Sequence, residues 1–440
     1  MAPDRLDRPI TDPLFSRLFP PLATGVEWGL GRVVTALEEL GNPHWSYPTI
    51  HVGGTNGKGS VAATLSSVLA ASRLRTGLYT SPHLCSFRER FQVGGRPVLE
   101  KRLVDAADQI REVLVRQRLT FFEAATVLAF HVLHRERVEV AVVEVGLGGR
   151  LDATNVVRPE VSVVTNVAMD HADYLGNTLE LIAGEKAGIA KAGVPLVTAE
   201  GDPAVLDVLR KACGVVGAPM HVLDRSRVRD VVVERDQTSF KFDTRTWGVL
   251  DLTIPLAGEH QALNAALAVE AVEHLPNELR PSLRDVVTGL AGVGWPGRAQ
   301  IEEIDRRTWL FDVAHNAAGA ASLCDLLDRL TLPRPWVVLV GVLDDKEWSR
   351  MLPPIFRRAD RAILTQPPSA PAERRWDPNR AATVLRPLLP DGYQLTTEGE
   401  FERALGHAQS AAGKGTVIVT GSSHTVGDAL RYLNRCPFGG

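Results

Sequence analysis

Lys58 and Ser60 stand in the run Thr49-Ile-His-Val-Gly-Gly-Thr-Asn-Gly-Lys-Gly-Ser60, an ammonium and a hydroxyl set among four glycines. Glycine carries no Cβ, so backbone N–H groups of the loop Thr55-Asn-Gly-Lys-Gly59 are left unblocked to wrap a phosphate. A helix starting there adds the positive end of its dipole. Lys58 supplies a point charge for β- and γ-phosphates, and the hydroxyl is a ligand for Mg²⁺. The general spacing G-x-x-x-x-G-K-[ST] is broken by Gly59, which delays the hydroxyl to Ser60. Ile50 and Val52 predict a buried strand before the loop, and Val61, Leu65, Val68 and Leu69 take up helical spacing after it. The stretch reads as an ATP site.

Three further segments follow predicted strands, where α/β folds bind their ligands. Glu144 lies near the end of the apolar run Val138–Val145 and precedes a glycine turn, so its carboxylate is placed to hold Mg²⁺ directly or through water. Asp152 and Asn155 in the same segment can bind substrate or cap a turn. Asp170-His171 follows the run 160–166; His171 can ligate a metal as a neutral imidazole, although Mg²⁺ prefers oxygen. Lys186 sits on a helix whose other face (Leu181, Ile182, Ile189) is apolar, a pattern that by itself predicts a solvated lysine.

The elements that must position these groups alternate. Helical spacing is predicted over 29–40, 100–117, 122–135, 259–274 and 281–291, and strands over 76–80, 138–145 and 160–166. The stretch 219–256 reads as a small antiparallel add-on of short β-like runs. Gly292-Val-Gly-Trp-Pro-Gly297 is a strong breaker, and strand-like runs at 308–313, 335–341, 361–365 and 416–420 follow it. The predicted fold class is α/β: a P-loop nucleotide-binding domain with a parallel sheet over residues 1–295, then a second, Rossmann-like α/β domain over 296–440.

Composition sets the class. The chain has 440 residues, 23% charged and 45% hydrophobic, with a formal net charge of -3. That length favours more than one domain, and the charge gives no electrostatic case for nucleic acid or an anionic membrane. Asp4, Arg5, Asp7 and Arg8 have no apolar run behind them, so no signal peptide is expected. The four cysteines lack metal-ligand spacing and read as incidental thiols of a reduced, cytoplasmic protein. A monomer is expected.

Taken in order, the motifs resemble the folylpolyglutamate synthase/dihydrofolate synthase family of the Mur-ligase group. The matches are Gly53 to Ser60, Tyr79-Thr-Ser-Pro-His-Leu84, Phe87-Arg-Glu-Arg-Phe-Gln-Val93, Phe121-Phe-Glu-Ala-Ala-Thr126 and Glu144 to Asn155. After them come Asp170-His171, Glu185-Lys-Ala-Gly-Ile189, Gly258-Glu-His-Gln-Ala-Leu-Asn264, Pro296-Gly-Arg298 and Asp312-Val-Ala-His-Asn316. Gly59, odd for a general P-loop, is what this family shows. Two departures stand out: Ala317 replaces a proline, and Ser423-His424-Thr425 occupies positions where apolar residues are commoner.

The resemblance implies roles. Lys58 and its loop would hold the ATP phosphates; Ser60 and Glu144 would bind one Mg²⁺, and Glu144 with His171 a second, with room for a monovalent cation. Lys186 would be a carbamylated lysine supporting the metal region. Asn264 would lie toward adenine, Asp312 toward ribose, and Arg298 and His315 toward the phosphates. Ser81, His83, Phe122 and Asp152 would line the acceptor site. The implied reaction joins L-glutamate to a folate or dihydropteroate carboxylate through an acyl phosphate, with Lys58, His171, Lys186 and Arg298 in catalysis.

Rival readings are weaker. A cell-wall Mur ligase is expected to carry a uridine-nucleotide domain before the P-loop, and only about fifty residues precede it here. A P-loop GTPase switch lacks its Asn-Lys-x-Asp guanine reader. A dead family member acting as a scaffold is hard to square with Lys58, Ser60, Glu144, His171 and Lys186 all being kept.

Overall fold

The computed structural model describes residues 13–23 and 29–439. The charged N-terminal residues Asp4 to Arg8, read above against a signal peptide, lie outside it. Eight strands form the first sheet: β1 (Thr49–Gly53), β2 (Thr76–Tyr79), β3 (Phe91–Val93), β4 (Arg96–Pro97), β5 (Val140–Glu144), β6 (Val161–Val164), β7 (Leu196–Thr198) and β8 (Met220–Val222). Their order is β4-β3-β2-β5-β1-β6-β7-β8. β2, β5, β1, β6, β7 and β8 run parallel, while β3 and β4 pair antiparallel at one edge.

β1 is central and wholly buried, with His51 opposite Val143 on one side and Ser162 on the other. Strands covered on both faces need apolar residues at nearly every position, which is why these runs lack a two-residue alternation. Ile50, Val52, Val140 and Val142 pack under the helices Lys58–Ala71 and Glu259–Glu273. Ala141 and Val143 face the opposite core, built on the helices Glu100–Arg116 and Phe121–Arg135.

β9 (Val228–Val233), β10 (Thr238–Asp243) and β11 (Val249–Ile254) form the antiparallel three-stranded add-on. It is shorter than predicted: Met220–Val222, read as part of it, extends the first sheet beside β7. The add-on packs Phe240, Phe242 and Leu252 into the same core as the first sheet.

The second sheet contains β12 (Gln300–Ile304), β13 (Arg307–Phe311), β14 (Trp336–Val340), β15 (Arg361–Leu364), β16 (Gln394–Thr397) and β17 (Thr416–Thr420), ordered β12-β13-β17-β14-β15-β16. Only β12 is antiparallel to its neighbour. β12 and β16 escaped the sequence reading because they are edge strands, half solvated and without a continuous apolar run.

The cysteines correct the reading above. Cys85 and Cys436 are joined in a disulfide, with Cα atoms 5.8 Å apart across 351 residues of sequence, while Cys213 and Cys324 are free and buried. No spacing rule reveals a pair that only folding brings together. Among the described residues no helix is long and apolar enough to cross a membrane.

Candidate active site

Both sheets turn the carboxyl ends of their parallel strands toward one cavity of about 730 Å³. Gly54 to Ser60 follow β1, Glu144 ends β5 and Val145 to Gly148 follow it, and Asp312 to His315, Lys346 and Gly421 to His424 follow β13, β14 and β17. Ligand sites belong at such strand ends, where loops leave polar groups uncovered.

The glycine loop is shaped by what presses on it. Gly57 caps the helix Lys58–Ala71 at φ 81°, a left-handed conformation that favours glycine. Gly59 has an ordinary backbone, but a Cβ on it would stand 2.7 Å from the Trp295 ring. The extra glycine in the motif therefore admits an indole from the breaker segment at 292–297. Thr55 donates its N–H to the Asn166 carbonyl at 2.9 Å, and Asn56 donates its own to Asn166 Oδ1 at 3.0 Å. Lys58 Nζ donates back to the Thr55 carbonyl at 3.0 Å, and Ser60 is buried in the first helical turn.

Three titratable groups surround this loop. Glu144 is buried at the end of β5 and accepts the Ser81 N–H at 3.0 Å. Burial raises its pKa, and the Lys58 charge opposes the rise. Lys186 is 3% exposed, not solvated as its helix pattern predicted. Its Nζ donates to the Gly54 carbonyl at 2.8 Å, and burial, helped by the charge of Lys58, brings its pKa down to about 7. His171 begins a short helical turn at φ 52°, and burial together with Lys346 lowers its pKa to about 3, so the imidazole is neutral.

Lys346 was missed by the sequence reading. Its Nζ lies 2.6 Å from Asp170 Oδ1 and 3.3 Å from His171 Nε2. Asp170 also receives Asn316 Nδ2 at 3.1 Å and stands 3.4 Å from His315 Nε2. Asn316 Nδ2 in turn donates to Asn56 Oδ1 at 2.9 Å, tying the glycine loop to the second sheet. The signal was available: Asp344-Asp-Lys346 follows a predicted strand, the same criterion that picked out Asp170.

The remaining predicted residues divide. Asn264, Arg298, Asp312 and His315 all line the cavity. Asp312, just after β13, accepts the N–H groups of Ala299, just before β12, and of Ala314 in its own loop at 2.9 Å each. Asn264 donates to Gln261 Oε1 at 3.0 Å and its oxygen stands against Gly57. Burial lowers the pKa of Arg298, opposed by Asp312 and Glu144.

Ser81, Phe122 and Asp152 line the cavity, but His83 does not. His83 Nδ1 accepts from Arg90 Nε at 3.1 Å, and its ring meets Phe87 edge-on. Asp152 caps a turn, accepting the N–H groups of Leu147 at 2.9 Å and Thr154 at 3.0 Å. Asn155 is likewise structural, donating to the carbonyls of Arg150 and Gly188. Phe122 lies so close to Gly146 that a Cβ there would fall 2.2 Å from the ring. Phe15, Pro20 and Leu22, which belong to no motif, also line the cavity, as do Ser423 and His424.

Residues 52–272 match the family model of the Mur ligase middle domain, and residues 297–424 match that of the Mur ligase glutamate ligase domain. Fold and site together define a Mur ligase. Dihydrofolate synthetase of Saccharomyces cerevisiae is 32% identical over 434 residues, spanning 93% of this chain and 98% of its own. Folylpolyglutamate synthase of Lacticaseibacillus casei is 33% identical over 406 residues, spanning 89% of this chain and 91% of its own. A structure of Escherichia coli FolC in complex with DHPP and ADP superposes with a TM-score of 0.82 at 29% identity, covering 98% of this chain and 99% of that one. The chain belongs to the folylpolyglutamate synthase/dihydrofolate synthase family.

Proposed function

We propose that this protein ligates L-glutamate to a folate-type carboxylate at the expense of ATP. The observation that carries the reading is a single cavity in which a phosphate cradle with Lys58 faces Arg298 and His315 from the second sheet. A related structure, Escherichia coli FolC, in complex with both DHPP and ADP supports the reading.

A carboxylate resists amines because its leaving group is oxide. Its oxygen attacks the γ-phosphorus of ATP, the bond to ADP breaks, and an acyl phosphate forms. The glutamate amine then attacks the acyl carbon, phosphate leaves, and the amine gives up a proton. Lys58 and Arg298 stabilise charge on the transferring phosphoryl group. Closure of the two halves over the substrates keeps water from the acyl phosphate.

The residues fit one Mg²⁺ ion. Ser60 and Glu144 are buried, hard oxygen donors beside the cradle, and Mg²⁺ completes its shell with phosphate oxygens and water rather than with an all-protein cage. Bound there, it supplies charge neutralisation for the phosphates. A second ion on His171 has first to displace Lys346, whose ammonium already faces Nε2.

Lys186 is the residue we assign to carbamylation. The carbon of CO₂ joins Nζ as the amine loses a proton, turning a cation into an oxygen donor. The amine must be neutral to react, and burial favours that form. Asn264 belongs to the adenine end, Asp312 to the ribose, and Ser81, Phe122 and the loop capped by Asp152 to the acceptor wall. His83 acts indirectly by holding Arg90. We place the boundary between the ATP-binding and glutamate-ligase domains at 295/296, and the enzyme as a cytoplasmic monomer.

The test is ATP-dependent incorporation of labelled L-glutamate, run in parallel on dihydropteroate and on a reduced folate. Incorporation on both defines a bifunctional enzyme, and on the reduced folate alone a polyglutamylating one. No incorporation on either, with ATP still bound, moves the assignment to a Mur-type amide ligase acting on another carboxylate.

A further inference from the structure

The C-terminal tail bears on the cavity in a way the reaction does not use. The helix Ser423–Tyr432 already rests on the segment around Leu84 without any covalent help. Arg431 donates to the carbonyls of Leu84 at 3.1 Å and Cys85 at 2.6 Å while pairing with Asp428. Gly427 comes so near Leu84 that a Cβ there would meet its carbonyl oxygen at 2.1 Å. The Cys85–Cys436 bond is therefore surplus to the packing of that helix. What it adds lies beyond it. Phe438, two residues after Cys436, is among the residues lining the cavity and is 48% exposed. Pro82 and Leu84, just before Cys85 in the chain, line the same cavity. Two residues of chain reach no farther than about 7 Å, so the bond keeps Phe438 near Cys85 and the adjoining Ser81–Leu84 segment, which we assign to the acceptor wall.

We propose that the Cys85–Cys436 pair is a thiol–disulfide strap that sets acceptor affinity by holding Phe438 against the cavity. The inference rests on the ligase reading above. In the oxidised state the ring is an apolar wall for the planar, aromatic end of the acceptor. A dithiol reductant breaks the S–S bond, becoming a cyclic disulfide as both sulfurs leave as thiols, and the tail is released. A low-molecular-weight disulfide such as oxidised glutathione reverses the change, taking up the two electrons. Disulfides are rare in cytosolic proteins and, where present, usually transient and catalytic or redox-sensing, which suits this use.

The experiment measures glutamate incorporation for the full chain before and after dithiothreitol, with peptide mapping under non-reducing conditions. Reduction is expected to raise the acceptor KM about fivefold, the weight of one aromatic contact, leaving kcat and the KM for ATP unchanged. Cys436→Ser should show the raised KM permanently, and Phe438→Ala should show it in both redox states. Two free thiols after treatment with oxidised glutathione overturn the strap. So does an acceptor KM indifferent to reductant, or a Phe438→Ala enzyme that still responds to it. If no folate acceptor is glutamylated in either state, the ligase reading fails instead, and hydrogen exchange decides the strap. Faster exchange over 433–438 on reduction upholds it; unchanged exchange removes it.

Discussion

Lys346, in the loop after β14 of the second sheet, sets its ammonium 2.6 Å from the carboxylate of Asp170, in the loop after β6 of the first, with the two side chains only 7% and 9% exposed. Burying either charge alone is costly, so each half supplies what the other lacks. Lys346→Met should lose about 3 kcal/mol of stability, the lower end for a broken buried pair, because Asn316 and His315 still attend Asp170. Denaturant unfolding of this variant, Asp170→Asn and the double variant gives the coupling. A coupling energy below about 0.5 kcal/mol would mean that the halves are held together elsewhere.

Lys58→Ala should cut glutamate incorporation by about a thousandfold or more, the scale expected when a charge on a transferring phosphoryl group is lost. Its circular dichroism and unfolding midpoint should match the wild type, since Lys58 Nζ makes a single bond to a loop carbonyl. Near-normal incorporation by this variant would sink the phosphate-site assignment.

Gly59→Ala tests the odd residue of the loop. The new methyl would press on the Trp295 ring at 2.7 Å, and overpacking of that kind costs about 1–3 kcal/mol. Weaker ATP binding by calorimetry is expected, with recovery in a Gly59→Ala, Trp295→Leu double variant. A single variant that binds ATP normally would show that the indole yields freely.

For Lys186 the pH dependence has a definite sign. Its pKa lies at about 7 rather than 10.5, so the neutral amine is scarce below pH 7 and dominant above it. CO₂ adds only to that form. Enzyme stripped of CO₂ should regain activity with bicarbonate faster at pH 8 than at pH 6, and crystals should show extra density on Nζ. Lys186→Gln should be inactive, and Lys186→Ala should be partly rescued by a short-chain carboxylate. Full activity of Lys186→Ala alone would exclude the carbamate.

A lowered lysine pKa also acts on stability. Between about 7 and 10.5 an unmodified Lys186 is neutral when folded and charged when unfolded, so the unfolded chain binds the extra proton. Stability should therefore rise with pH across that window, relative to Lys186→Met. The comparison needs only denaturant midpoints at pH 7 and pH 9 in CO₂-free buffer. Equal slopes for the two proteins would place the lysine in water.

Local sequence determined a good deal here. The glycine loop between an apolar strand and a helix, the acid that ends β5 and the Asp170-His171 pair were all legible, because strand ends and tight turns are encoded by their immediate neighbours. So was the alternation that makes two α/β sheets. What pattern could not settle was which polar ends stay in water. Lys186 looks solvated on its own helix, yet it is buried with its ammonium on the Gly54 carbonyl, a residue 132 positions away. Lys346 finds Asp170 across 176 residues, and Cys85 finds Cys436 across 351. Periodicity shows which face of an element is apolar. The segment that finally covers that face, and the charge or thiol it brings, is chosen by the tertiary packing alone.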